Sequence, residues 1–300
     1  MASTKRIPGD LVGAHVSTAG GIALAPARAD AIGATAIQVF TKTPSQWREP
    51  TLDETAVRSF RRALRASNIR YAVSHDSYLI NLASPDPVLS ERSVTAFTAE
   101  LSRCRRLGIR QVVSHPGNYI DDRTAGLERN AGNYTRCLRA VPGVLVLIEA
   151  TAGGGTVLGS TFEELATLRR LIAEDVRSRV AFCADTCHLY SAGLDLVGEY
   201  DAVWRHWQNV IGLRLLRCLH LNDSKTPRGS RRDRHELIGE GTLGPLPFRR
   251  IMADPRFRRV PKIIETPKGD DPVRSDRRML RRLRAYAAAA HAPLGSSRRR

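Results

Sequence analysis

Six short apolar runs of this chain end in, or close with, an imidazole or a carboxylate. YAVSH ends in His75 and QVVSH in His115, VLVLIEA carries Glu149, VAFCAD ends in Asp185, LRCLHLN carries His220 and KIIET carries Glu265. Three more side chains of the same kind lie nearby: His188 in CADTCH, and Asp233 with His235 in RRDRHE, whose D-x-H spacing brings both toward one point when extended. Imidazole with carboxylate and no thiolate suits zinc, with manganese, iron or cobalt as poorer fits. A catalytic zinc takes about three protein ligands and a water, so nine candidates imply more than one ion. The chemistry that such a cluster performs is hydrolysis, in which neighbouring ions acidify a shared water and neutralise charge on the leaving oxygen. A lone histidine or acid at a strand end is ordinarily a hydrogen-bonded core residue. Six in succession are not accounted for in that way.

The elements that must position them follow from hydrophobic pattern. Short β-branched runs at 11–17, 36–40, 71–75, 111–115, 144–150, 180–185, 216–222 and 262–266 predict eight strands. Segments of helical period at 22–32, 53–67, 87–107, 124–139, 162–174, 195–211, 246–253 and 272–290 alternate with them. Near-continuous apolar strands, each followed by a helix, specify a parallel sheet covered on both faces, and eight such units close a (β/α)8 TIM barrel. All six strand-end residues then meet at the carboxyl-terminal rim, where barrels carry their chemistry. One domain over 1–290 is expected, followed by a basic disordered tail at 291–300. The stretch 224–245 is too long for an ordinary barrel loop and is expected to be irregular.

Composition narrows the partners. Of 300 residues, 47 are Lys or Arg against 30 Asp or Glu, a formal net charge of +17. Only Lys5, Lys42, Lys225, Lys262 and Lys268 are lysines, so the positive charge is carried by forked guanidinium groups suited to phosphate oxygens. A polyanion is the expected partner, phosphodiester first and acidic lipid headgroups second. The chain has no uncharged run long enough to cross a bilayer and begins with no apolar leader, so no membrane association and a cytoplasmic location are expected. Five cysteines without a C-x-x-C predict reduced thiols; Cys183 and Cys187, which flank Asp185, are expected to pack beneath the site.

Nine separated motifs in one order carry a resemblance. GAHVSTAGG (13–21), FTKTPSQW (40–47), HDSYLINL (75–82), HPG (115–117), IEATAGGGTVLG (148–159), DTCH (185–188), HLNDSK (220–225), DRHELIGEGTLG (233–244) and IIET (263–266) resemble the endonuclease IV family of apurinic/apyrimidinic endonucleases. The resemblance implies a barrel with three zinc ions, manganese or another divalent ion being a possible substitute, and no organic cofactor. It further implies cleavage of the phosphodiester 5′ to an abasic site in duplex DNA, leaving a 3′-hydroxyl and a 5′-deoxyribose phosphate. Carried over motif by motif, His75, His115 and Glu149 would hold one ion; Glu149, Asp185, His220 and Glu265 a second; His188, Asp233 and His235 a third. Glu149, Asp185 and Glu265 would also serve catalysis directly.

The same resemblance makes Tyr78 the aromatic that enters the gap left by the missing base. Lys42, Arg48, Asn118, Lys225, Arg231 and Arg232 are the expected DNA contacts, with Arg228 and Arg234 beside them in the long loop. Two departures stand out. Pro44 and Ser45 occupy the place of the family's arginine wedge, with Arg48 just beyond, and Asn118 follows HPG where a serine is usual. Two other readings stay open: a metal-dependent sugar isomerase on the same barrel, and a DNA-binding protein with structural zinc. A monomer is expected.

Overall fold

Eight parallel strands close on themselves: β1 (Val12–His15), β2 (Ala36–Phe40), β3 (Tyr71–His75), β4 (Gln111–Ser114), β5 (Leu145–Glu149), β6 (Val180–Asp185), β7 (Leu216–His220) and, after a two-stranded ribbon β8 (Asp223–Ser224) and β9 (His235–Glu236), β10 (Lys262–Ile264). Each pairs with its chain neighbour, and β10 closes the barrel by pairing with β7 and β1. This computed structural model describes residues 11–290, so the expected tail at 291–300 lies outside the described residues.

The outer layer is helical: α1 (Ala25–Ala31), α2 (Glu54–Ala66), α3 (Pro87–Leu107), α4 (Arg123–Ala140), α5 (Phe162–Leu171), α6 (Glu174–Arg177), α7 (Thr186–Ser191), α8 (Tyr200–Val210), α9 (Leu246–Ala253) and α10 (Pro272–Ala290). Local chemistry sets their ends. Asp86 accepts from Val88 N at 2.8 Å and Leu89 N at 3.3 Å to start α3, with Pro87 in its first turn; Gly108, left-handed at φ 80°, stops it.

Three expectations need correction. The helix predicted over 195–211 begins at Tyr200, because Asp195 turns its carboxylate onto Val197 N and Gly198 N and closes a turn instead. The helix predicted over 162–174 ends at Leu171, a separate short α6 starting at Glu174, and the supposedly irregular 224–245 contains β9 of the ribbon.

What positions the site is the order of layers inside the barrel. Ala36, Val73, Val113, Leu147, Ala181, Cys183, Cys218 and Ile263 form one buried interior cluster. Val73, Val113, Leu147, Cys183, Cys218 and Ile263 each stand two residues before His75, His115, Glu149, Asp185, His220 and Glu265, and side chains two apart on a strand share a face. One apolar layer therefore props up one polar layer. Gly13 contributes no side chain to the lower layer because a Cβ there would overlap the carbonyl of Ala36.

Candidate metal centre

Glu149 is the hub of the polar layer. It is completely buried at the end of β5. Its Oε2 lies 3.2 Å from His75 Nε2 and 3.1 Å from His115 Nε2, and its Oε1 lies 2.9 Å from His220 Nδ1. A buried carboxylate without cations around it would be prohibitively costly, which is why three imidazoles converge on it.

Two further groups complete the set. His220 Nδ1 is 3.3 Å from Glu265 Oε2 and 3.9 Å from Asp185 Oδ2, so Glu149, Asp185, His220 and Glu265 offer ligand atoms within 4.8 Å of one another. On the other side, Asp233 Oδ2 is 3.2 Å from His188 Nε2, and Asp233 Oδ1 is 3.1 Å from His235 Nε2. His75, His115 and Glu149 satisfy the same 4.8 Å condition, as do His188, Asp233 and His235. The structure thus brings all nine sequence-predicted residues into three adjoining groups, two of which share Glu149.

Asp185 shows how local structure builds the third group. Its Oδ1 caps α7, accepting from Cys187 N at 2.6 Å and His188 N at 3.0 Å, while its Oδ2 faces inward, 3.5 Å from His235 Nε2. The capped turn carries His188 back over the barrel mouth. His235 arrives from the opposite direction on the ribbon, with Asp233 in the loop just before it, and the ribbon's base is gathered by the Asp223 carboxylate accepting from Gly239 N and Leu243 N. Gly241 is required there, since a Cβ would overlap both Ser224 O and Asp223 Oδ1.

Four of the imidazoles, His75, His188, His220 and His235, keep one nitrogen for the centre and spend the other on a fixed partner. His75 Nδ1 meets Asp76 O at 3.0 Å, His188 Nδ1 meets Ala150 O at 2.9 Å, and His220 Nε2 meets Gln38 Oε1 at 2.8 Å. That division is what metal-binding histidines require, because the second bond fixes tautomer and ring orientation. The fit to cations is sharpened by orphaned atoms: His188 Nε2 and His235 Nε2 are buried and have no hydrogen-bond partner, although carboxylate oxygens surround them. A shared ion would satisfy both. A donor set of five imidazoles and four carboxylates accords with zinc.

Electrostatics says the same. Burial alone would depress the His75 and His235 imidazoles, yet the carboxylates around them raise both to about 9; His188 and His220 are likewise pushed well up. Burial would raise Glu149, but His220 and His115 hold it well below the usual carboxylate range, and His188 and His235 do the same to Asp233. The centre therefore demands positive charge, which protons supply when metal does not.

Sequence reasoning missed three supporting residues. Gln38 donates to Glu265 Oε1 at 2.5 Å while accepting from His220; Asn222 donates to Asp185 Oδ2 at 2.6 Å and accepts from Glu265 N at 2.8 Å; His15 Nδ1 lies 3.2 Å from Glu265 Oε1. The signal was present for two of them: Gln38 and His15 stand two residues after Ala36 and Gly13, the spacing that selects the ligands on the other strands.

The expected DNA contacts divide. Tyr78 is 67% exposed at the rim, with its ring 5.3 Å from that of Phe40. Arg48, Lys225, Arg231 and Arg232 are exposed; Arg231 holds an unusual φ of 55°. Asn118 is half-buried, and Asn81 clasps its backbone through both N and O. Lys42 is a correction: its ammonium is buried, bonded to Glu49 Oε1 at 2.7 Å and Trp47 O at 3.2 Å, so it shapes the β2 loop from within. Arg228 pairs with Asp195, tying the loop to the turn before α8, and Arg234 donates to Asp233 O within the loop. At Pro44, where an arginine wedge was missing, the carbonyl accepts from Ser77 Oγ at 2.5 Å and ties this loop to that of Tyr78.

Fold and site together define a barrel of the xylose isomerase-like TIM class with a polar, ligand-rich rim, and the family model of that description matches residues 26–283. Within that class the assignment is narrower. "Probable endonuclease 4" of Geobacter sulfurreducens is 48% identical over 269 residues, covering 87% of this chain and 90% of the relative. Its counterpart in Chloroflexus aurantiacus is 41% identical and covers 93% and 98%. The crystal structure of endonuclease IV from Thermus thermophilus superposes with a TM-score of 0.83 at 36% identity, over 93% of this chain and 99% of that one. A D-tagatose 3-epimerase-like protein, at 16% identity and a TM-score of 0.65, shares the fold alone. The chain belongs to the endonuclease IV family of apurinic/apyrimidinic endonucleases.

Proposed function

We propose that this chain is a zinc-dependent DNA repair endonuclease that hydrolyses the phosphodiester 5′ to an abasic site in duplex DNA, leaving a 3′-hydroxyl and a 5′-deoxyribose phosphate. The observation that carries the reading is the sharing of Glu149 between two ligand groups with a third group alongside, in a chain of this family. His75, His115 and Glu149 would hold one ion, Glu149, Asp185, His220 and Glu265 a second, and His188, Asp233 and His235 a third. Bound there, the ions would supply Lewis acidity to the phosphate oxygens and an acidified water.

The protein's own part is positioning. Glu149, Asp185 and Glu265 sit side by side at the rim and orient whatever attacks the phosphorus; buried hydrogen bonds from Gln38 and Asn222 keep Glu265 and Asp185, respectively, from rotating. Tyr78, standing proud of the rim, fills the stack where a base is missing. An abasic nucleotide has lost its pairing and stacking, so turning it out of the helix costs less than turning out an intact one, and selection follows from that difference. Arg48, Lys225, Arg231 and Arg232 hold the backbone without reading sequence, as an enzyme for damage in any context requires. Five free, buried cysteines suit a reducing compartment, and we place the protein in the cytoplasm.

The test is incision of a synthetic abasic duplex by the zinc-loaded and the chelated protein, run beside ketose epimerisation. Zinc-dependent cutting 5′ to the lesion supports the proposal. Epimerisation without incision would replace it with a sugar-epimerase reading.

A further inference from the structure

Below the nine-residue centre, the barrel interior holds two thiols that the proposed hydrolysis leaves unused. Cys183 on β6 and Cys218 on β7 are register partners on adjacent parallel strands. Both are fully buried, both are free, and both belong to the interior apolar layer. Each stands two residues before a member of the centre, Asp185 and His220, so their Cα atoms lie about 6–7 Å deeper along the strands. A sulfur of each and a ring nitrogen of His220 fall within 4.8 Å of one another. Two sulfurs that share an ion at about 2.3 Å each, at a tetrahedral angle, sit about 3.8 Å apart, inside that spread.

We propose that Cys183, Cys218 and His220 form a further site for thiophilic divalent cations of the cadmium and mercury class, directly under the hydrolytic centre and sharing His220 with it. Loading it forms two metal–sulfur bonds and breaks two S–H bonds, and both protons leave to solvent. Two thiolates and one dication sum to zero charge, which an apolar interior accepts where a lone thiolate would be costly. The surrounding layer of Ala36, Val73, Val113, Leu147 and Ile263 is apolar, and the Tyr71 phenol packed against it donates to Gln111 Oε1 at 2.8 Å, so hard ions find little reason to stay while soft ones do. His220 belongs to this trio and to the group of Glu149, Asp185 and Glu265, so a soft cation below and an ion above compete for one imidazole. Only that consequence, inhibition of incision by soft cations, rests on the proposed nuclease function; the site itself does not.

The probe is cadmium alone, added to saturation to the full-length, metal-free protein. Cadmium NMR should show a resonance in the thiolate-bound range, together with ultraviolet sulfur-to-metal absorption. Both should vanish in Cys183→Val and in Cys218→Val, which keep the volume of the apolar layer, and both should survive in Cys187→Ser. Absence of any thiolate-bound cadmium at saturation overturns the proposal, as does a signal that survives both valine variants or disappears in Cys187→Ser. Should a valine variant fail to fold, the wild-type protein decides by X-ray absorption. Two sulfur neighbours per sulfur-bound ion support the pair. A single sulfur assigns the ion to Cys187 with Asp185 and His235, the other thiol-containing group at the rim, and refutes the proposal. Incision enters none of these readouts, so failure of this site and failure of the nuclease assignment are distinguishable.

Discussion

Replacing Glu149 by glutamine tests the hub. The carboxylate is completely buried and lies within 3.2 Å of nitrogens on His75, His115 and His220. Glutamine has the same shape, so the barrel interior is not emptied, but one negative charge is removed from two ligand groups at once. Weakening a metal site through a single supporting residue typically costs ten- to a hundredfold. Because Glu149 serves two groups, the factors multiply to about 10²–10⁴ in joint occupancy. We therefore expect single-turnover incision of an abasic duplex to fall by about 10³, or about 4 kcal/mol of transition-state stabilisation. Metal content should fall with it, while affinity for undamaged duplex, carried by exposed rim arginines, should hold. Incision within about tenfold of wild type at the same total zinc, with zinc content unchanged, would refute the shared-ligand reasoning.

Three further outcomes are expected. Tyr78→Ala should weaken binding to abasic duplex by about 1–3 kcal/mol, the range for an aromatic stacked on a base, and leave undamaged duplex unaffected; equal losses on both in a titration would dismiss the wedge role. Gln38→Leu should lower zinc affinity about 10–100-fold by freeing His220 and Glu265, read by competition with a chelating dye, and an unchanged affinity would make Gln38 a bystander. Stability of the metal-free protein should be greatest at mildly acidic pH. His75 and His235 are raised from 6.5 to about 9, so their contribution is complete below about 6.5 and is lost as pH rises through 9. Glu149, Asp233 and Glu265 are depressed, so theirs is present above about 4 and is lost at lower pH. The alkaline loss for one such histidine is on the order of 3 kcal/mol, and zinc should abolish it; melting curves from about pH 5 to 9 that are flat without metal would contradict this.

The barrel and its centre were legible for one reason. Apolar strands buried on both faces write themselves as runs of Val, Ile and Leu, and a histidine or acid interrupting such a run near its end has few structural explanations. What escaped lacks that contrast. Helix α7 is six residues long and exists because Asp185 caps it and the barrel mouth buries it, so no periodicity announces it. The ribbon of Asp223–Ser224 with His235–Glu236 is held by tertiary bonds to the Asp223 carboxylate and has too few residues to show alternation. Lys42 and Arg228 read as free cations because charge counts say nothing of a partner; the buried contacts of Lys42 with Glu49 and the ion pair of Arg228 with Asp195 appear only in three dimensions. Gln38 and Asn222 were hidden by their neutrality. Their value lies in holding charged neighbours, a role visible only once those neighbours are placed.

The central claim is that nine residues from six barrel strands, one capped turn and one ribbon surround a cluster of ions held in part by a single carboxylate. Anomalous diffraction at the zinc absorption edge, from crystals of the zinc-loaded protein, tests it most directly. Three peaks, two of them flanking Glu149 and the third between His188, Asp233 and His235, are predicted. A single peak, or any set that leaves Glu149 without metal contact, would contradict the account.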